Sequence, residues 1–140
     1  MKRQTYFKFF VLLLMFGLGM GAGCDNGGTS VLQSGTCADG LCVYVPDYTT
    51  DCRNTLHLAP EVRSNADIVR VEWNFRDLPV AEIQYDSTGL YPTLTNVGLS
   101  LGSTVCHSGT YIISLTVENS NGAIVIVNAN IIIEFCGYYC

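Results

Sequence analysis

Apolar and polar side chains alternate along three long stretches of the chain, and this period of two constrains the fold more than any other feature. In the longest stretch, residues 123–135, every second residue is apolar. An amphipathic helix would repeat its apolar face every three to four residues, whereas successive side chains of a β-strand point to opposite faces. We therefore predict three strands that each bury one face. The predicted buried faces are Val69, Val71, Trp73 and Phe75; Tyr111, Ile113, Leu115 and Val117; and Val125, Val127, Ala129, Ile131, Ile133 and Phe135.

Turn signals separate these stretches from each other and from shorter candidate strands. Asn119-Ser120-Asn121-Gly122 lies between the last two long stretches. Asn-Gly is a strong hairpin signal because both residues tolerate a positive φ. Shorter strands are predicted at 41–45, 55–59 and 81–85 and around 93–101. About seven short strands at this spacing are typical of a β-sandwich, so we predict an all-β fold.

Residues 1–23 have the organisation of a secretory signal peptide, with three basic residues, an apolar run at 9–20 and then small residues. The apolar run is shorter than the roughly 20 residues that a transmembrane helix needs. The sequence from Gly21 to Cys24, Gly-Ala-Gly-Cys, resembles the lipobox of bacterial lipoproteins, although Gly21 stands where that family prefers Leu. The resemblance implies cleavage before Cys24 and acylation of its sulfur. Ordinary signal cleavage without a lipid is the alternative.

The chain contains seven cysteines, and an odd number leaves one unpaired thiol in an oxidising compartment. Assigning Cys24 to a lipid leaves six, which allow 15 disulfide connectivities, and spacing alone does not choose among them. Residues 25–36 are rich in Gly, Ser and Thr, so we predict a lipidated cysteine and flexible tether at 24–36 and one domain at 37–140. The six cysteines predicted to form disulfides are Cys37, Cys42, Cys52, Cys106, Cys136 and Cys140.

Charge limits the classes of partner. Removal of residues 1–23 leaves four arginines, no lysine and twelve acidic residues, a net charge of about −8. Nucleic acids and anionic membrane surfaces are bound by basic faces, which four scattered arginines do not supply. We therefore expect no nucleic-acid partner, and we expect contact with a membrane through the lipid on Cys24.

Two segments, ADIVRVEWNF at 66–75 and SGTYIISLTVENSNGA at 108–123, carry a family pattern. They resemble PKD (polycystic kidney disease) domains, which have Tyr-x-Trp-Asp-Phe-Gly-Asp-Gly in strand C and Pro-Gly-Thr-Tyr-x-Val-x-Leu-x-Val-x-Asn around strand F. Asn74 stands for Asp, and Arg76-Asp77-Leu78 stands for Gly-Asp-Gly. The resemblance covers about 41–135 and implies an immunoglobulin-like β-sandwich of bacterial surface and secreted proteins. The matching residues are Trp73, Phe75, Gly109, Thr110, Tyr111, Leu115, Val117, Asn119 and Gly122.

The same resemblance implies an arrangement of disulfides. In such a sandwich the start of strand B, the turn into strand F and the end of strand G lie at one pole. This topology places Cys52, Cys106 and Cys136 near each other, with Cys140 just beyond, so we expect two bridges within that set. A local bridge between Cys37 and Cys42 is the third. No cysteine falls in the middle of strand B or F, so the inter-sheet bridge of antibody domains is not expected.

Two kinds of chemistry are weighed against simpler interpretations. His57 and His107, with Cys52 and Cys106, are residue types that bind metal ions or form a cysteine nucleophile. Both functions need reduced thiols, whereas export favours disulfides, so we expect no metal, no cofactor and no catalysis. Turn carboxylates can bind calcium, but the Asp-x-Asp-x-Asp spacing is missing, and solvated acids are the favoured interpretation. These acids are Asp39, Asp47, Asp51, Asp77 and Asp86.

Aromatic residues divide between the core and a contact surface. Trp73 is in phase with Val71 and Phe75, which predicts a core position rather than a platform for a ligand. Tyrosine supplies contact area at low entropic cost, so exposed tyrosines are better candidates for recognition. The candidates are Tyr44, Tyr48, Tyr91, Tyr138 and Tyr139, of which the last two are also placed to pack around a terminal disulfide.

The sequence thus supports a non-catalytic lipoprotein of the bacterial cell envelope, on the periplasmic side or at the cell surface. Its immunoglobulin-like module would bind a protein or a glycan, in adhesion or envelope assembly. The alternative is a small periplasmic inhibitor or accessory subunit of one envelope enzyme or transporter. An enzyme or metal carrier that uses the cysteines and histidines is the third hypothesis.

Overall fold

The computed structural model describes residues 33–134, and every regular element in that range is a β-strand. The all-β prediction is therefore confirmed, and the number of strands exceeds the expected seven. The ten strands are β1 (Gln33–Ala38), β2 (Leu41–Pro46), β3 (Tyr48–Asp51), β4 (Leu56–His57), β5 (Glu61–Ser64), β6 (Ile68–Asn74), β7 (Glu82–Gln84), β8 (Thr93–Thr95), β9 (Gly109–Asn119) and β10 (Ile124–Glu134).

The strands form three sheets, with the orders β1-β2-β5, β3-β10-β9-β6 and β4-β8-β7. Strand β3 pairs with β10 in parallel, with Tyr48 opposite Ile131 and Asp51 opposite Glu134. The other pairs are antiparallel. Because β2 pairs with β5 and the following strand β3 pairs with β10, the chain passes from one sheet to another between Pro46 and Tyr48.

The hairpin of β9 and β10 is the centre of the fold, and its buried face is the predicted one. Alternate side chains of both strands are almost fully buried, as are three of β2 that lie across from them. Successive side chains of a strand point to opposite sides of the sheet, so a sheet with one side against the core buries every second residue. Phe135, the last residue of the predicted face, lies outside the described residues. The core side chains of these three strands are Ile113, Leu115, Val117, Val125, Val127, Ala129, Ile131, Ile133, Leu41, Val43 and Val45.

The predicted buried face of β6 is confirmed at Trp73 and Phe75 and is wrong at Val69. Trp73 and Phe75 are buried in the core with nearly parallel rings whose centroids are 5.8 Å apart. Val71 packs against the core, but Val69 is exposed, so its predicted burial is wrong. The register with β9 shifts between Ile68 and Arg70. A bulge inserts one unpaired residue into a strand, and it ends the simple alternation at that point.

The predicted boundary between tether and domain is also corrected. Strand β1 begins at Gln33, so residues 33–36, which the composition assigns to the tether, pair with β2. Asp39 and Gly40 connect these strands, both with positive φ, as a tight two-residue hairpin requires. A side chain on Gly35 would collide with the ring of Tyr44, which stands directly opposite. The rest of the predicted tether, up to residue 32, lies outside the described residues.

The crossing from β2 to β3 is fixed by polar contacts. Asp47 accepts hydrogen bonds from the backbone N–H of Asn130 at 2.7 Å and from its side-chain amide at 3.1 Å. Tyr48 packs its ring in the core, and its hydroxyl accepts a bond from the N–H of Ala59 at 2.8 Å. Together these bonds link β3 to β10 and to the segment between β4 and β5.

The β9–β10 hairpin runs between two opposite ends of the molecule. At one end, which we call the Asn119 pole, the β1–β2 turn, the β5–β6 turn and the β9–β10 turn meet. Asn119 is 1% exposed; its side-chain oxygen accepts bonds from the N–H groups of Asn121 and Ala123, and its amide donates to Ser64 Oγ. Gly122 supplies the positive φ of this predicted turn.

The Cys52–Cys106 pole is the other end, where β3 and β10 finish and β9 begins. The disulfide joins the turn after β3 to the loop before β9. Gly98 lies against it with a φ of +88°, and its backbone N–H donates to the carbonyl of Pro79. The long connection between β8 and β9, residues 96–108, therefore returns to this pole rather than crossing the molecule.

Candidate interaction surfaces

Four exposed isoleucines lie on the solvent side of β9 and β10, opposite the core. We call them the isoleucine face: Ile112, Ile124, Ile126 and Ile132. Ile126 is 60% exposed. The face exists because β10 carries isoleucine at solvent-facing positions where an antiparallel sheet usually carries polar residues. The sequence analysis placed these residues away from the core but did not single them out as a surface. An apolar residue on both faces of one strand is the signal that would have found them.

Charged groups stand at two ends of this face and at its β3 edge, where Asp47 accepts a hydrogen bond from the side-chain amide of Asn130. Near the Asn119 pole, Arg70 pairs with Glu72, and Glu118 lies opposite Arg70 on the neighbouring strand. The hydrogen bond that Arg70 donates to Glu72 is the main reason that the pKa of the Arg70 guanidinium is raised. At the other end, Glu134 stands opposite Asp51. Between these ends, the solvent-facing positions of β9 and β10 from 126 to 132 and from 110 to 116 carry no charged residue.

A row of small polar residues crosses the centre of the face. Asn128 stands opposite Ser114 on β9, and Ser114 stands opposite Asn74 on β6. Residues directly opposite on neighbouring strands share a face and lie within side-chain contact. Ser114 is buried, so the exposed hydrogen-bonding groups of this row are Asn128 and Asn74. Exposed isoleucines lie on both sides of the row, an arrangement suited to excluding water around a few specific polar contacts.

A second candidate surface is the loop between β7 and β8, which presents the exposed rings of Tyr85 and Tyr91. Asp86 holds this loop together by accepting bonds from the hydroxyl and N–H of Thr88 and from the N–H of Tyr91. The hydrogen bond from the Thr88 hydroxyl, followed by that from the Tyr91 N–H, lowers the pKa of the Asp86 carboxyl. The carboxylate is thus part of the loop's own structure.

The predicted tyrosine contacts divide three ways. Tyr91 is exposed. Tyr48 is 8% exposed, so its prediction as a contact residue is wrong: its ring is needed in the core where the chain crosses between sheets. Tyr44 is half-buried because it covers Gly35. Tyr138 and Tyr139 lie outside the described residues.

The cysteines that the structure describes are all paired. Cys37 is bonded to Cys42, and Cys52 to Cys106, in agreement with the expected local bridge and with one bridge at the far pole. Disulfides indicate an oxidising, exported environment. Neither Cys52 nor Cys106 lies within a strand. Cys24, Cys136 and Cys140 lie outside the described residues.

Of the residues considered for metal binding, Cys52 and Cys106 meet only as a disulfide. His57 is exposed, and its Nδ1 lies 3.0 Å from Oγ1 of Thr93, whereas His107 lies in the loop before β9. Within residues 33–134, no group of three or more His, Cys, Asp and Glu side chains could hold a metal ion. Of the turn acids, Asp47 and Asp86 are engaged by the backbone bonds described above; Asp39 and Asp77 are exposed, and Asp51 ends β3.

No protein-family model, curated protein or solved structure matches this chain. In the part of the chain that the structure describes, no helix is long and apolar enough to cross a membrane.

Proposed function

We propose that the chain is a non-catalytic lipoprotein of the bacterial cell envelope. A lipid on Cys24 anchors it, and an immunoglobulin-like, PKD-like β-sandwich presents the isoleucine face to a protein partner. The observation that carries this proposal is the isoleucine face itself, because a folded, exported domain rarely leaves several large apolar side chains on one sheet surface unless something covers them.

The order of the strands supports an immunoglobulin-like sandwich. Such domains pair strands A, B, E and D in one sheet and C, F and G in the other. Here β6, β9 and β10 correspond to C, F and G, and β7 and β8 to D and E. Strands A and B are each split in two: β2 and β3 form A, and β4 and β5 form B. On this assignment β1 is an added strand at the edge next to A.

The chemistry of the face favours a protein over a glycan. Sugar-binding surfaces commonly stack a ring against an aromatic side chain, and the isoleucine face offers branched aliphatic side chains instead. Its exposed, uncharged Asn128 and Asn74 can pair with backbone or amide groups of another chain without desolvating an ion.

Crosslinking in native cells tests the partner. A photoreactive benzoylphenylalanine is placed at position 126, and at position 91 as a matched control on the tyrosine loop. We expect position 126 to crosslink to one protein, identified by mass spectrometry, and Ile126→Glu to abolish its binding while Tyr85→Glu, at a position 55% exposed, does not. Crosslinks from position 91 alone would overturn the assignment of the isoleucine face.

The intact mass of the natively purified, unreduced protein tests the anchor. We expect a chain that begins at Cys24, carries acyl chains and lacks six hydrogens. A chain without acyl groups would overturn the lipoprotein assignment, and free thiols would contradict the predicted disulfides. Protease treatment of intact cells then separates a surface module, which is digested, from a periplasmic accessory subunit, which is protected and co-purifies with its enzyme or transporter.

A further inference from the structure

The loop before β9 exposes two apolar side chains at the Cys52–Cys106 pole. Leu101 is 85% exposed and Val105 is 62% exposed. The loop is not loosely held: Cys106 fixes one end through its disulfide, and the Arg53 guanidinium donates to the carbonyl of Thr104 at 3.0 Å. Ser103 donates its backbone N–H to Ser100 at 2.9 Å, which forms the turn that carries Leu101 to the tip.

Formal charge is absent from a long part of the sequence around this loop. Residues 87–117 contain no Asp, Glu, Lys or Arg, although the chain has twelve acids. The segment from Leu99 to Val105 is therefore an uncharged loop with an apolar tip. A loop of this kind enters the boundary between lipid headgroups and acyl chains with no charge of its own, and the Arg53 guanidinium bonded to Thr104 is a group that lipid headgroups can solvate.

The position of Gln33 allows this pole to reach the membrane. Strand β1 starts opposite Pro46 and runs toward the Asn119 pole, so Gln33 is the end of β1 nearer the Cys52–Cys106 pole. From the level of Pro46 to Asp51, where β3 ends, is five residues, or about 17 Å. Residues 25–32 span at most about 28 Å when fully extended. This reach exceeds the distance of about 17 Å from Gln33 to the end of β3, so a lipid on Cys24 allows the Cys52–Cys106 pole to touch the bilayer surface.

We propose that Leu101 and Val105 insert into the lipid surface beside the acyl anchor and fix the orientation of the domain, with the isoleucine face turned sideways to the membrane. This inference rests on the proposed anchor at Cys24. The lipid contact is apolar and independent of headgroup charge, which is consistent with a domain whose net charge would be repelled by anionic lipids.

Fluorescence quenching tests the insertion in the purified, acylated protein, reconstituted in phosphatidylcholine vesicles with brominated acyl chains. The sequence has one tryptophan, Trp73, which is buried and gives the same background in each variant. Leu101→Trp places a second tryptophan at the loop tip. Tyr91→Trp places one on the exposed loop between β7 and β8, away from this pole. We expect at least twofold stronger quenching by brominated lipid for the substitution at position 101.

Hydrogen exchange of the unsubstituted lipoprotein provides a second measurement. Amides of residues 99–105 should exchange at least tenfold more slowly with vesicles than without, and Leu101→Asp should remove that difference. Equal quenching at positions 101 and 91 in an acylated protein overturns the inference and leaves the lipoprotein assignment intact. If the amides of residues 99–105 are fully protected from exchange without vesicles, the inference is also overturned, and residues 135–140 become the candidate segment that covers the loop. A mass without acyl chains overturns both proposals.

Discussion

A Cβ atom on Gly98 would lie 2.8 Å from Sγ of Cys52, closer than such atoms approach in folded proteins. It would also lie 3.4 Å from Sγ of Cys106, so the absence of a side chain at position 98 is what allows the disulfide to pack against the loop between β8 and β9. The backbone N–H of His107 donates to the carbonyl of Gly98 at 2.8 Å and closes the same contact.

Substitution at Gly98 should therefore cost more than its backbone conformation alone explains. Gly102 is the matched control, because its φ is +78° and no atom lies within 4 Å of the Cβ position. We expect Gly102→Ala to lower the free energy of unfolding by about 1 kcal/mol, the cost of a left-handed alanine. Gly98→Ala should lower it by about 2–4 kcal/mol, because overpacking against the disulfide adds to that cost. Urea denaturation measures both, and equal losses would contradict the contact.

Asn119 should be the most sensitive polar residue of the opposite pole. Asn119→Ala removes the acceptor of the N–H groups of Asn121 and Ala123 and the donor to Ser64. Because the Ala123 N–H is buried, we expect the free energy of unfolding to fall by about 2 kcal/mol. Asn121→Ala, at an exposed position of the same turn, should change it by no more than about 0.5 kcal/mol. A comparable loss in both variants would mean that the turn depends on local propensity and not on the buried amide.

The sequence predicted the parts of the fold in which hydrophobic burial alone decides the structure. Alternation in β9 and β10 identified their buried faces because each strand crosses the whole core in one register. The disulfide from Cys52 to Cys106 falls within the set of four cysteines, Cys52, Cys106, Cys136 and Cys140, that the resemblance to PKD domains places at one pole. The resemblance did not indicate which members of that set pair.

Other features depend on contacts that no local pattern encodes. Val69 was placed in the core because the alternation continues through it, and only the register with β9 reveals the bulge. Strand β1 was read as tether because its residues are small and polar; it is held by backbone bonds to β2 and by Tyr44 over Gly35. The sequence gives no sign that Tyr48 is buried. Its ring lies in the core because the chain crosses between two sheets at this point. In each case, a partner distant along the chain decides the outcome.

The two described disulfides should differ in their effect on stability. Cys52–Cys106 closes a loop with a sequence separation of 54, and Cys37–Cys42 one of 5. In the loop-entropy description, the longer loop stabilises the fold by about 4 kcal/mol and the shorter by about 2 kcal/mol. We expect the double variants Cys52→Ala/Cys106→Ala and Cys37→Ala/Cys42→Ala to lose those amounts in urea denaturation. A larger loss for the short loop would show that it supports packing of β1 rather than restricting the unfolded chain.

Tyr48 should make the fold sensitive to alkaline pH. Burial raises the pKa of its phenol above the ordinary value near 10, and the bond from the Ala59 N–H opposes that rise only in part. Since the folded chain holds this proton more tightly than the unfolded chain, its contribution to stability is complete below pH of about 10 and is lost as pH rises toward the raised pKa. Tyr48→Phe should lower the free energy of unfolding at pH 7 by about 1 kcal/mol, because the Ala59 N–H loses its acceptor, and should flatten the decline of stability at alkaline pH.

Tyr91→Phe, at an exposed ring, is the control and should change neither the stability at pH 7 nor its alkaline decline. Urea denaturation from pH 7 to 11 measures the three proteins together, and an alkaline decline that persists undiminished in Tyr48→Phe would place the sensitive group elsewhere.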